Sequence, residues 1–533
     1  MLFYTWPFLV FMAVVLPGFF ALQRTRLWIP WLLIASYFFY GWWNPYYLLL
    51  VLYSTTLDFF LVALMDLCPR EPRKVDVFGR LTRLRFDERT LKAAFIVSAL
   101  AAVVCVVVSL EGPRTLRPTL GVFSAILALM ATGALFSSRR TWLVISIVNN
   151  LLLLLFFKYA HFVVENLNFV LGWLHVTVKL PDPVTLMPFN LPYVLPVGIS
   201  FFTFQSLSYT IDFYRGQAQR ERNFLRFATF VCFFPQLMAG PIERARHLLP
   251  QFQEFPAFRL KNLTDGLSLF LVGLFKKLAL ANYLSLWVDP IYDNPKAYDA
   301  PALMLATFAF GWQIFFDFSG YTDMARGVAK VMGFNLILNF NNPYLATGIG
   351  DFWRRWHISL SSWFRDYVYI PLGGNQRGAF ITYRNLFIVF LVSGVWHGAA
   401  WTFAIWGLLH AIGIMTTREL ECSAFYRDRV PTLAKQLGVF IFVSFAWIFF
   451  RASSLNDALL IVGRISTASW TDPSMPALMV ILVALVWLYQ FAYESGAREV
   501  LQTNFVRVGI AASMVLYLCL FSSVGKAFIY FQF

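Results

Sequence analysis

The sequence predicts an all-α polytopic membrane protein, and three observations carry that prediction. Hydrophobic residues make up 59% of the chain's 533 and charged residues only 13%, about half of the roughly 25% usual in soluble proteins. The apolar residues collect in continuous runs near ~20 residues, the length a helix needs to cross a bilayer. Those runs do not alternate apolar with polar, as the strands of a membrane barrel would. Helices are then the way left to satisfy the backbone in lipid. The chain is expected to form a single membrane-embedded domain over residues 1–533.

The formal net charge is +15. Its basic residues fall in loops between apolar runs and no nucleic-acid motif accompanies them, so no nucleic-acid partner is expected. Cytoplasmic loops collect Lys and Arg, and part of the charge is available to an anionic substrate. The five cysteines, Cys68, Cys105, Cys232, Cys422 and Cys519, are scattered without paired spacing. Neither a disulfide frame nor a metal site is expected. The first apolar run lacks a basic leader and a small-residue exit, so no cleavable signal is expected.

Taken in order, spans are expected near Tyr4–Leu22, interrupted by Pro17-Gly18, then Leu27–Trp43 and Tyr46–Asp66. Arg24 and Arg26 make the first link basic, which puts the N-terminus outside and that link inside. Residues 69–92 are the most charged stretch, with eight Lys and Arg from Arg70 to Lys92. It is expected in the cytoplasm. A helical hairpin, Ala93–Leu110 and Leu120–Phe136, leads to a span near Trp142–Val164 and an outer segment over 165–195. The two runs that follow are broken by Pro196, Gly198, Pro235, Gly240 and Pro241. Broken helices at membrane depth are tolerated where they line a cavity or are buried in protein, and both readings stand. Further spans are expected at 263–287, Ala302 to about Phe318, Leu437–Phe450, Pro476–Phe491 and Val506–Val524. Several of the roughly fourteen candidate segments have re-entrant character.

The chain is organised around residues 351–410. Between Arg384 and Arg418 there is no Asp, Glu, Lys or Arg, yet His397 sits inside that apolar run. Ionisable groups at membrane depth are costly and mark functional sites unless they pair with a neighbouring helix. Gly394 and Gly398 flank it and thin the wall around it, with Trp396 alongside. His357 lies in the preceding basic-aromatic segment, and the two histidines are expected to face one reaction chamber in a membrane-embedded tunnel. His410 fits no ligand spacing and reads as a packing residue.

Four blocks resemble the membrane-bound O-acyltransferase family: FPQLMAGPIERARHLLPQF (Phe234–Phe252), DFSGYTDMARGVAKVMGF (Asp317–Phe334), Asn339–Asn375 around DFWRRWHISLSSWFRDYVYIPLGGN, and SGVWHGAAWTFAIWGLLHA (Ser393–Ala411). The branch resembled is bacterial, typified by alginate O-acetylation and its relatives acting on peptidoglycan and cellulose. The resemblance implies a ring of about 11–14 transmembrane or re-entrant helices around a core where two funnels nearly meet. It implies a catalytic core over residues 193–411, with His397 as the catalytic histidine and His357 as the second position. It implies an acyl group moved from a cytoplasmic thioester to a hydroxyl. Residues 67–137 look like an insertion of a basic loop and a helical hairpin, which preserves the topology downstream.

The chemistry is coherent from the residues upward. Acyl transfer to an alcohol needs a base for the hydroxyl proton and stabilisation of the developing oxyanion. Histidine suits the first task because an apolar site keeps it neutral. His397 is assigned the base, and His357 a positioning or oxyanion role. Arg354, Arg355 and Arg365, interleaved with Trp353, suit a phosphorylated donor, and also suit interfacial anchoring. Lys276 and Lys277 carry the same two readings. Asp317, Tyr321 and Asp323 are expected to be structural, Asp317 holding a break in its helix. No resident cofactor is expected, and the donor substrate is acetyl-coenzyme A or an acyl carrier thioester.

The expected function is O-acetylation of an extracytoplasmic polysaccharide from the cell inner membrane. Besides membrane lipid, the expected partner is an extracytoplasmic transferase, since the chain lacks a sizeable soluble outer domain. Two alternatives are D-alanyl transfer to teichoic acid from a carrier protein, and a transporter or polysaccharide export component without covalent chemistry. No nucleophile elbow, P-loop or zinc helix is present.

Overall fold

A computed structural model describes residues 1–68, 98–99, 103, 124, 126–131, 138–186, 193, 195–467, 469 and 477–522. Most of the expected insertion at 67–137, and its helical hairpin, lie outside the described residues. Among the described residues there are helices and no strand. Those longer than six residues are, in chain order, α1 (Trp6–Ala21), α2 (Trp28–Gly41), α3 (Tyr47–Leu67), α4 (Arg139–Trp173), α5 (Ile199–Tyr214), α6 (Phe224–Cys232), α7 (Leu260–Asp293) and α8 (Ala300–Val331). There follow α9 (Ile349–Arg355), α10 (Ile358–Phe364), α11 (Ala379–His397), α12 (Trp401–Cys422), α13 (Thr432–Arg451), α14 (Leu455–Thr467), α15 (Ala477–Tyr493) and α16 (Asn504–Phe521). Seven of them, α3, α4, α7, α8, α11, α13 and α16, are long and apolar enough to cross a membrane. The protein is an all-α, multi-pass membrane protein.

The chain folds as two compact units, one of residues 17–238 and 244–255, the other of residues 1–16, 239–243 and 256–533. In the first unit, polar side chains clamp helices that lipid alone would not press together, as is common between membrane helices. Asp58 on α3 is fully buried. It accepts from Ser146 Oγ at 2.6 Å and from Asn150 Nδ2 at 3.0 Å, both on α4. Arg139 is also buried, and its guanidinium donates to Phe213 O at the end of α5, 3.2 Å away. A cation at a helix C-terminus meets both free carbonyls and the negative end of the macrodipole.

α4 runs to Trp173 through a π turn at Leu155–Tyr159, so the helix extends into the stretch expected as an outer segment. Residues 165–173 contain neither Pro nor an early Gly to stop it. The expected breaks at Gly198 and Pro235 are present. Gly198 (φ 77°) starts α5, and an added Cβ there would meet Leu237 O at 2.6 Å. The break after α6 frees the carbonyl of Phe230, and Gln205 Nε2 (2.6 Å) and Gln236 Nε2 (2.8 Å) both donate to it.

In the second unit, α7 and α8 lie antiparallel at very close range. A Cβ at Gly266 would sit 2.7 Å from Gly327 O, and one at Gly273 2.5 Å from Gly320 O. Two glycines per helix thus let the backbones touch, the usual way membrane helices gain packing energy. Ion pairs complete this seam: Lys277 Nζ to Asp317 Oδ1 at 2.5 Å, and Lys276 Nζ to Asp323 Oδ2 at 2.7 Å. The lysines open a π turn, Lys276–Ala281, inside α7.

This seam corrects one expectation. α8 does not end near Phe318 but continues unbroken to Val331. Asp317 holds no break, because its charge is met by a lysine of the facing helix. DFSGYTD is an internal, buried stretch of helix, with the fully buried Tyr321 ring 4.8 Å from that of Phe3.

Candidate active site

The segment after α8 builds the first half of the site. Gly333 (φ 93°) turns the chain out of α8, and residues 334–341 run without helix. Glu243 Oε1 accepts from Ile337 N at 2.6 Å and pins this extended stretch. Asn341 N–H donates to Arg355 O and Ile358 N–H to Asn339 O, both at 2.9 Å. The chain therefore runs out, turns through α9 and returns alongside itself.

His357 sits on that return, between α9 and α10, fully buried and with φ 41°, ψ 54°. A left-handed backbone costs a residue other than glycine of order 1–3 kcal/mol and persists where surrounding structure over-determines it. Here the surrounding structure is Asn339. Its Oδ1 accepts from Ser359 N at 3.2 Å and Ser359 Oγ at 2.8 Å, and lies 3.1 Å from His357 Nδ1. Phe318 stands edge-on to the imidazole, centroids 4.7 Å apart. His357 lies on the connection between the candidate spans α8 and α11, and burial pushes its pKa down to about 3, which keeps the ring neutral.

The second half of the site is the meeting of α11 with α12. Gly394 and Gly407 face each other, and a Cβ on Gly394 would strike the carbonyl of Phe403. His397 is the last residue of α11 and is 4% exposed. Aromatic rings surround it: Trp396 at 4.9 Å, Trp406 at 5.0 Å and Phe450 at 5.4 Å between centroids. Gly398 is packed against the Phe403 ring, where no side chain fits.

The two histidines belong to one aromatic core. From His357 the contacts run through Phe340 (6.4 Å), Trp356 (5.1 Å), Trp447 (5.2 Å) and Trp406 (5.7 Å) to His397. Within it the indole N–H groups of Trp406 and Trp447 are buried without a hydrogen-bond acceptor among the described residues. Buried donors in that state are rare and call for an explanation. His410, on α12, accepts from Trp353 Nε1 through Nδ1 at 3.3 Å.

The residues expected to hold the donor divide. Trp353 is 8% exposed and its indole is committed to His410. Arg355 pairs with Asp351 (3.1 Å) and Glu494 (3.0 Å). Arg354 and Arg365 keep 76% and 63% of their side chains exposed, beside Asp351 and Asp366. Lys276 and Lys277 are taken up in the α7–α8 seam. Asn339, Ser359, Glu243, Trp406 and Trp447 were missed by sequence reasoning. Asn339 and Ser359 carried one available signal, both lying in the block that contains His357.

A sequence model of the membrane-bound O-acyltransferase family (MBOAT) matches residues 215–462, a range that contains both histidines. "Probable alginate O-acetylase AlgI" of Azotobacter vinelandii is 40% identical over 365 residues, 66% of this chain and 70% of that protein. The chain belongs to the membrane-bound O-acyltransferase family. The protein of the same name in Pseudomonas aeruginosa is 41% identical over 331 residues, 62% of this chain and 61% of its own length. "Peptidoglycan O-acetyltransferase" of Helicobacter pylori is 38% identical over 351 residues, 61% of this chain and 64% of its own. This member of the family thus matches somewhat under two thirds of the length of two of these three relatives.

Proposed function

We propose that this protein takes an acetyl group, as a short acyl thioester, from the cytoplasmic side of the inner membrane and delivers it for O-acetylation of an extracytoplasmic polysaccharide. The observation that carries the reading is His397, an imidazole held at the end of an apolar helix inside a box of aromatic rings. The relatives' names, for acetyl transfer to alginate and to peptidoglycan, supply the substrate class. The donor is acetyl-coenzyme A or an acyl carrier, with the exposed Arg354 and Arg365 as the cations available to its phosphates. The N-terminus lies outside, and a separate extracytoplasmic transferase completes delivery to the polymer.

In this reading the acceptor hydroxyl gives its proton to His397 as its oxygen attacks the thioester carbonyl. The new C–O bond forms, the C–S bond breaks, and the proton passes from the imidazolium to the departing thiolate. A neutral base in an apolar site is suited to this cycle because it starts uncharged and returns uncharged. The oxyanion needs a donor that has no other partner. The Trp406 indole N–H, buried beside His397 and without an acceptor among the described residues, meets that need.

The test is transfer of label from radiolabelled acetyl-coenzyme A, with the protein in lipid nanodiscs, the host's extracytoplasmic transferase added and its secreted polysaccharide as acceptor. Wild type should label the polysaccharide, and a folded His397→Ala variant should lose about 10²–10⁴-fold in rate. A transporter needs no buried base, so unchanged polymer acetylation in that variant would refute the assignment.

A further inference from the structure

Asn339 decides which nitrogen of His357 carries the proton. A backbone N–H can only donate, and Ser359 N approaches Asn339 Oδ1 at 3.2 Å, so the atom at that position is the amide oxygen. The Ser359 hydroxyl donates to the same oxygen at 2.8 Å. An oxygen that accepts twice presents only lone-pair density to the third atom beside it, His357 Nδ1 at 3.1 Å. Were Nδ1 unprotonated, two lone pairs would face each other in a buried site. Nδ1 therefore carries the hydrogen. The neighbouring Ser359 Oγ, 3.4 Å from Nδ1, has its own proton engaged and adds no competing donor.

A neutral imidazole holds one N–H and one lone pair. We infer that Asn339 and Ser359 are positioning residues that lock His357 in the Nδ1–H tautomer, so that Nε2 presents a lone pair and orients the acceptor substrate through a donor group other than the attacking hydroxyl, whose proton goes to His397. The inference rests on the acyl-transfer reading and sharpens it. Of the two roles open to His357, oxyanion stabilisation requires a donor at Nε2, and this tautomer provides an acceptor. Protonation would restore a donor, but burial of the ring opposes it. The left-handed backbone at 357 has its explanation here as well. It turns the imidazole back onto Asn339, and the Ile358 N–H to Asn339 O bond (2.9 Å) holds it there.

The same nanodisc assay, following radiolabelled acetyl from acetyl-coenzyme A into polysaccharide, tests the inference with two variants of one residue. Asn339→Leu removes the acceptor at Oδ1, and Asn339→Asp keeps it. The leucine variant should lose about 10²-fold in kcat with an unchanged KM for acetyl-coenzyme A. The aspartate variant should stay within about threefold of wild type, because tautomer and orientation survive. A purely structural asparagine predicts the opposite, since a buried carboxylate is harder to accommodate than leucine. Wild-type kcat in the leucine variant, or equal losses in both at unchanged melting temperature, would overturn the inference. If the leucine variant does not fold, Ser359→Ala decides. Loss of one of the two bonds that orient Oδ1 should lower kcat several-fold, and an unchanged kcat would count against the lock. Absence of transfer by wild type would instead indict the acyl-transfer reading itself.

Discussion

Lys277 Nζ lies 2.5 Å from Asp317 Oδ1, with only 2% and 5% of the two side chains exposed. Two charges this deep are held by each other and by the helix seam around them. Removing one member takes away the charge paired with the other in a buried site, so Lys277→Ala should cost about 3–5 kcal/mol of stability. Replacing both, as Lys277→Leu with Asp317→Leu, should recover most of it. Thermal unfolding in detergent measures both. A Lys277 variant with wild-type stability and a raised KM for the donor would return this lysine to the donor site.

Trp406 is buried against His397, and its N–H has no acceptor among the described residues. Trp406→Phe retains an aromatic ring and deletes the donor. It should lower kcat by about 10²–10³-fold, the usual effect of losing one oxyanion donor, while the protein melts close to wild type. Phenylalanine is the smaller side chain, so overpacking plays no part in the outcome. Equal turnover of the two proteins would remove the indole from the mechanism.

Gly394 and Gly407 set the distance between α11 and α12, and with it the position of His397. Gly394→Ala places a methyl on the Phe403 carbonyl. Strain of this kind costs about 1–3 kcal/mol, and turnover should fall further than stability because the imidazole shifts with the helix end. Melting temperature and kcat measured on one preparation separate the two effects; a fully active variant would show that the contact is dispensable.

His357 contributes to acid sensitivity. Burial lowers its pKa from the ordinary 6.5 to about 3, so between these values the unfolded chain binds a proton that the folded one refuses. Stability through this residue is intact above pH 6.5 and is lost as pH falls toward 3. His357→Asn should therefore flatten the decline of melting temperature between about pH 6.5 and about pH 4. An identical slope in wild type and variant would contradict the buried, neutral imidazole.

The amino-acid sequence by itself determined the class of protein and the apolar setting of His397. Span length, the scarcity of charge and the uninterrupted apolar frame around His397 are properties of consecutive residues, and lipid reads them one segment at a time. The tertiary structure alone decided what the polar residues do. Lys276 and Lys277, which in sequence suit an anionic donor, meet Asp323 and Asp317 on the facing helix. That pairing keeps α8 helical past Phe318, where the run of polar residues suggested an end. His357 Nδ1 faces an amide eighteen residues earlier, brought to it by a turn that local pattern does not encode. A charge or a lone pair takes its meaning from what faces it, and that is fixed only when distant segments pack.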